Sequence, residues 1–136
     1  MKHLYITTTL VTFYLFASSV AFAQELGEFC WKERGSTCVL KLNVTQHNKF
    51  YSFVGNEICP DVARTAHATG SGYTNGGQVN FGLNFIAQEP GTDPAIPLST
   101  YKYGLFGTIN LADLFLSGQL DIVDEPANYD ATACGS

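Results

Sequence analysis

The sequence predicts an all-β domain: a small antiparallel meander β-barrel of about seven to eight strands, or a two-sheet β-sandwich. Three observations predict it. Apolar and polar residues alternate with period two along most of the chain after residue 23, while helical periodicity is nearly absent. Turn dipeptides interrupt the alternation at short intervals, which pairs neighbours in sequence order. Four cysteines, Cys30, Cys38, Cys59 and Cys134, follow what reads as an export signal, and an even number of cysteines in an oxidising compartment implies two disulfides.

The signal comes first in the chain. Lys2 and His3 give a short basic start, Leu4 to Phe16 carry no charge, and Ala21-Phe22-Ala23 supplies the small-x-small pattern of a cleavage site. Residues 1–23 are therefore expected to be removed, leaving a secreted or periplasmic chain that begins at Gln24. That leaves 113 of the 136 residues, a single domain over residues 24–136 that is large enough to bury its own core. Six basic residues against twelve acidic ones give this part a formal charge of −6. No stretch clusters Lys or Arg, which argues against a nucleic-acid partner and against an anionic membrane surface. Beyond residue 23 no apolar run approaches the roughly 20 residues of a membrane-spanning helix. Asn43-Val44-Thr45 is a glycosylation acceptor if the host is eukaryotic.

The elements follow in order. A first strand over 28–33 puts Phe29 and Trp31 on one face, and a second over 37–46 does the same with Leu40, Leu42 and Val44. Asn48-Lys49 turns the chain into a third strand, 50–58, where Tyr51, Phe53 and Gly55 continue that face. The fourth, 63–73, is rich in Gly and Ala. Asn75-Gly76 suits a type I′ hairpin and would set Gly72, Gly70, Ala68 and Ala66 opposite Val79, Phe81, Leu83 and Phe85 of a fifth strand, 78–87. Small residues then face large ones. Residues 88–99 contain Pro90, Gly91, Pro94 and Pro97 and read as a long loop outside the sheet. The sixth strand, 100–111, turns Tyr101, Tyr103, Leu105, Gly107, Ile109 and Leu111 inward, with Phe106 the large outward exception. A seventh, 115–123, offers Leu116, Gly118, Leu120 and Ile122, with Gly118 able to face Gly107. The polar tail after 124 frays unless tied, and Cys134 is the obvious tie.

Facing selects the disulfides. Cys38 shares the parity of Leu40 and Leu42 and points inward, whereas Cys30, between Phe29 and Trp31, points outward. A plain hairpin would put these two on opposite faces, which disfavours their pairing. With the turn at Asn48-Lys49, Cys38 falls opposite Cys59, leaving Cys30 for Cys134. On the chain-entropy model these bridges contribute roughly 3 and nearly 5 kcal/mol.

Signals for catalysis are absent from the sequence. His47 and His67 have no carboxylate or nucleophile at a recognisable spacing, and no G-x-S-x-G, H-E-x-x-H or phosphate loop occurs. The cysteines lack C-x-x-C spacing for zinc. The carboxylates of Glu89, Asp93, Asp121, Asp124, Glu125 and Asp130 lack a calcium-loop pattern and read as a solvated acidic edge. The expectation is thus no catalytic residue, no metal and no cofactor. Aromatic residues are the stronger candidates. Trp31, Phe53, Tyr101 and Tyr103 fall on the inner face with Gly55, Gly107 and Gly118, and are expected to line a pocket at one barrel end, with 88–99 near its mouth. The same glycines also suit tight bends that need no ligand.

Size, export signal and meander resemble the general architecture of lipocalin-like and avidin-like barrels, a likeness of fold that by itself implies no function. One tryptophan, Trp31, stands where avidin-like biotin sites use several, and the first strand lacks a lipocalin signature. The function expected is non-catalytic binding of a small apolar or planar ligand, or of a protein partner. A small outer-membrane barrel is the rival, since it shows the same period with the apolar face outward. Seven strands, the polar Ala133-Cys134-Gly135-Ser136 end and cysteines near both ends favour the soluble form. A small barrel isomerase or cyclase is the third reading.

Overall fold

The computed structural model describes residues 22–135. The expected export signal, residues 1–23, lies almost wholly outside them. Eight antiparallel strands follow: β1 (Gln24–Glu33), β2 (Val39–His47), β3 (Phe50–Cys59), β4 (Arg64–Asn75), β5 (Gln78–Asp93), β6 (Ile96–Asn110), β7 (Phe115–Leu120) and β8 (Val123–Thr132). Each pairs with its neighbour in sequence, and β8 returns to β1 to close a barrel. The one helical piece among the described residues is a 3-10 turn, Pro60–Val62, between β3 and β4.

Alternation decides what goes inside. Leu40, Leu42, Val44, Phe53, Val79, Phe81, Leu83, Phe85, Leu105, Ile109 and Leu116 form one buried cluster with Trp31 and Tyr129. Lys41, Asn43, Ser52, Asn56, His67, Thr69 and Asn84 face out between them. The outer face also carries exposed Phe50, Val54, Ile58, Ile86 and Phe106, so it mixes polar and apolar residues while the interior is apolar save at one end.

Three expectations are corrected. An eighth strand exists: the tail pairs with β7 through Ala127 and Tyr129, and with β1 from Cys30↔Thr132 to Glu33↔Tyr129. Its polar composition hides an inward Ala127 and Tyr129 between outward Asn128 and Asp130. The count is therefore even, which removes strand number as an argument against a membrane barrel. Second, 88–99 is not a loop. β5 and β6 continue as a two-stranded extension, paired from Gln88↔Thr100 to Asp93↔Ile96 with an irregularity after Pro90. Its prolines are tolerated because β4 pairing ends at Thr65↔Gln88 and β7 pairing at Leu105↔Leu120, so both strands are edges there. Third, the β4–β5 turn is Gly76-Gly77, with Asn75 paired to Gln78. Gly76 has φ 66° and Gly77 is not among the positive-φ residues, so the turn lacks the two positive φ values of type I′. The register slides by two, Phe81 pairs with Gly72 and Phe85 with Ala68, and every side chain keeps its face. At the rims, Leu111 and Ile122, expected inward, are exposed.

The second turn falls at Asn48-Lys49, with Asn48 at φ 56° and His47 paired to Phe50. That register places Cys38 beside Cys59 on the inner face, and they are bridged. Cys30, on the outer face opposite Lys41, is bridged to Cys134, which lays the tail across β1. Gly107 does face Gly118. A Cβ on Gly107 would collide with the Ser117 carbonyl oxygen, and one on Gly55 with that of Lys41. These glycines let backbones approach where the sheet curls, and leave no space for a ligand.

Candidate functional site

The barrel interior is not uniform along its axis. At the end holding the β2–β3, β4–β5 and β6–β7 turns, a hollow of about 60 Å³ is lined by apolar side chains including Leu26, Phe29, Trp31, Val44, Phe53 and Leu114. The β6–β7 connection folds over it, with Leu114 at φ 55° and its carbonyl accepting a 2.6 Å bond from Trp31 Nε1.

The opposite end is built around a charge. Glu57 sits on β3 at the inward parity of Tyr51 and Phe53, and is only 2% exposed. Arg64, the first residue of β4, has the inward parity of Ala66 and Ala68, so the β3–β4 connection carries both groups to one rim. Arg64 Nη2 lies 3.2 Å from Glu57 Oε1. Tyr103 of β6 donates to the same oxygen at 2.5 Å, and Tyr129 of β8 donates to Oε2 at 3.2 Å. Three donors from three strands thus satisfy a carboxylate that burial would otherwise make very costly. Arg64 Nη2 also lies 2.9 Å from Cys59 Sγ and 3.4 Å from Cys38 Sγ, so the inner bridge forms one wall of the network.

Beside this network lies a cavity of about 140 Å³ lined by Glu33, Glu57, Arg64, Tyr101, Tyr103, Leu120, Ile122 and Tyr129. Tyr103 stacks on Phe85 with ring centres 4.6 Å apart, and the Arg64 guanidinium stands 5.6 Å over the Tyr103 ring. Tyr101 reaches the β5–β6 extension through its hydroxyl, which donates to Glu89 at 3.2 Å. Glu33 accepts a 2.7 Å bond from Ser36. Burial, reinforced by the Glu57 charge, holds the Tyr103 and Tyr129 hydroxyls well above the ordinary tyrosine range. Burial works against the Arg64 charge, but the neighbouring Tyr101, Tyr103 and Glu57 outweigh it, and its pKa is raised. Among the described residues the Arg64 Nε is buried with no hydrogen-bond partner.

Cys38, Glu57 and Cys59 offer atoms within 4.8 Å of one another. Both sulfurs are spent in the bridge and the Arg64 cation stands against them, so the cluster as it stands is a charged network and not a ligand set.

The four aromatic residues selected from sequence are not brought together. Trp31 and Phe53 line the apolar hollow, whereas Tyr101 and Tyr103 line the charged cavity. Alternation assigns a face but no height. Tyr103 meets Glu57, four residues along β3 from Phe53, which at about 3.3 Å per residue is a separation of about 13 Å. Sequence reasoning passed over Glu57, Arg64 and Tyr129. The signal was available for the first two: a carboxylate and a guanidinium, both at inward parity, flanking the short Cys59–Ala63 connection. His47 and His67 are both exposed, on outer or rim positions.

No protein-family model, curated protein or solved structure matches the chain.

Proposed function

We propose that this chain is an exported, non-catalytic binding barrel that takes one small, largely apolar molecule into the cavity between Arg64, Tyr101, Tyr103 and Leu120. One observation carries the reading: a cavity of about 140 Å³ kept beside an ion pair whose carboxylate is buried, at one end of an otherwise apolar barrel. A buried ion pair is seldom a gain in stability over well-packed apolar residues. The same sheet lines its opposite end with apolar side chains around a smaller hollow, so a purely structural barrel had that alternative. A cavity of ~150 Å³ is the size that admits benzene, well below the roughly 300–1,000 Å³ of drug-sized sites. The ligand is accordingly a single ring or a group of that bulk.

Other features support the rest of the reading. The two disulfides suit an oxidising, exported compartment. β1 begins at Gln24, the residue after the expected cleavage point at Ala23. A binding role is supported by the Glu57 carboxylate on the cavity wall, whose oxygens are engaged by Tyr103, Tyr129 and Arg64.

Thermal unfolding of the oxidised chain with one-ring probes tests this. A probe at about 100 times its Kd should stabilise by about 2.7 kcal/mol, some 10 °C for a domain of this size. Leu120→Trp, which fills the cavity, should abolish the shift. The reading fails if no one-ring compound raises the melting temperature, or if Leu120→Trp responds like the parent.

A further inference from the structure

We infer that Cys30–Cys134 is a redox latch on the seam of the barrel, opened by a dithiol while Cys38–Cys59 stays closed and the rest of the fold stands. The placement of the two bridges separates their roles. Cys38 and Cys59 lie on the inner face, 4% and 0% exposed, with the Arg64 guanidinium against both sulfurs. A reagent reaches that bridge only through an opened barrel. Cys30 instead faces outward, and its sulfur is bonded to the end of the tail. There β8 stops at Thr132, residues 133–135 belong to no strand, and Cys134 is half-buried. Chain ends of this kind lift at small free-energy cost, so exchange at Cys134 needs no unfolding of the sheet.

The strand beside the latch is also the one held by the shortest ladders. β8 shares four pairs with β1, from Cys30↔Thr132 to Glu33↔Tyr129, and five with β7, interrupted by an irregularity at Gln119/Leu120. Each ladder from β1–β2 to β5–β6 has at least eight. Arg34 adds a backbone bond to the Asn128 carbonyl at 2.9 Å and an exposed ion pair with Asp130, which contributes little. The latch spans 104 positions of chain against 21 for the inner bridge, so on chain-entropy grounds its loss loosens the molecule more. β8 also carries Tyr129, whose hydroxyl donates to Glu57, so the state of the seam reaches the charged network. In the exchange, a thiolate of the dithiol attacks Cys134 Sγ, forms a mixed disulfide and expels Cys30, which takes a proton. The second thiol of the reagent loses its proton and attacks the reagent's own sulfur in that mixed disulfide, releasing Cys134 as a thiol. Two electrons pass to the bridge, and the dithiol leaves as a disulfide.

The experiment treats the oxidised chain with dithiothreitol under native conditions, quenches with iodoacetamide at intervals and maps the alkylated peptides. Cys30 and Cys134 should be alkylated faster than Cys38 and Cys59 by about tenfold or more. Held at that stage, the chain should exchange its β8 amides about tenfold faster than the oxidised chain, with β3 and β4 unchanged. Glutathione disulfide should restore the slow exchange. A chain carrying Cys30→Ser and Cys134→Ser, which keeps only the inner bridge, should show the fast β8 exchange without any reagent. Reduction of the inner bridge first, or of both bridges together, overturns the inference. So does loss of the whole fold with the outer bridge, or β8 exchange that does not change when it opens, since Cys30–Cys134 is then a plain staple.

Discussion

Replacing Arg64 by Met removes the cation facing the Glu57 carboxylate and leaves a side chain of similar length. The two partners are unequally buried: the Glu57 side chain is 2% exposed and that of Arg64 is 24% exposed. In Arg64→Met the orphaned charge is the one water cannot reach, and removing one partner from a buried pair costs about 3–5 kcal/mol. For a domain of this length that is a fall of roughly 12–20 °C in melting temperature. Glu57→Gln is expected to be milder. The amide oxygen still accepts from Tyr103, water reaches the partly exposed Arg64, and the Tyr129 hydroxyl must turn from donor to acceptor of the amide N–H, in all about 1–3 kcal/mol. The double variant should be less destabilised than Arg64→Met alone, because no charge is then stranded. Urea unfolding with both bridges intact measures all three. Trp31 fluorescence serves as the probe because that ring is buried at the far end and reports the whole barrel. The m-values should agree, so midpoints compare directly. A cost below about 1 kcal/mol for Arg64→Met, or strictly additive single effects, would refute the pairing argument.

Alkaline unfolding should be coupled to tyrosine ionisation. Tyr103 and Tyr129 have raised folded pKa values, so their contribution is complete below the ordinary unfolded value near 10 and is lost as pH rises above it; tyrosinate absorbance should show both ionising only as the barrel opens. Gly107→Ala drives a methyl into the Ser117 carbonyl and should cost about 1–3 kcal/mol, whereas Gly82→Ala meets nothing within 4 Å and should stay within about 0.5 kcal/mol; equal effects would contradict the close strand approach. Phe85→Ala removes the ring stacked on Tyr103 and should cost about 3–5 kcal/mol, against roughly 0.5 kcal/mol or less for the outward Asn84→Ala, both read from denaturant midpoints.

Much of the architecture is legible in the residues because a strand has period two. Leu40, Leu42, Val44, Phe53, Phe81, Leu83, Phe85 and Leu105 are assigned inward by alternation alone, and all are buried. The same parity with the Asn48-Lys49 turn puts Cys38 beside Cys59 and leaves Cys30 to Cys134, the pairs that are bridged. Even the misplaced Asn75-Gly76 turn cost nothing in facing, since a slide of two residues preserves parity. Tertiary structure alone decided the rest. β8 is a strand because β1 and β7 both present an edge to it, and β5 and β6 run on through their prolines because no third strand pairs there. Height along the barrel was equally out of reach. Parity says that Trp31, Phe53, Tyr101 and Tyr103 share the interior, but stagger and closure put the first two at one end and the last two at the other. Closure also carries Tyr129 of β8 and Tyr103 of β6 onto Glu57 of β3, residues 72 and 46 positions away in sequence. Local patterns specify a face residue by residue. Which residues of that face meet depends on the summed registers of eight strands, and no single segment contains that sum.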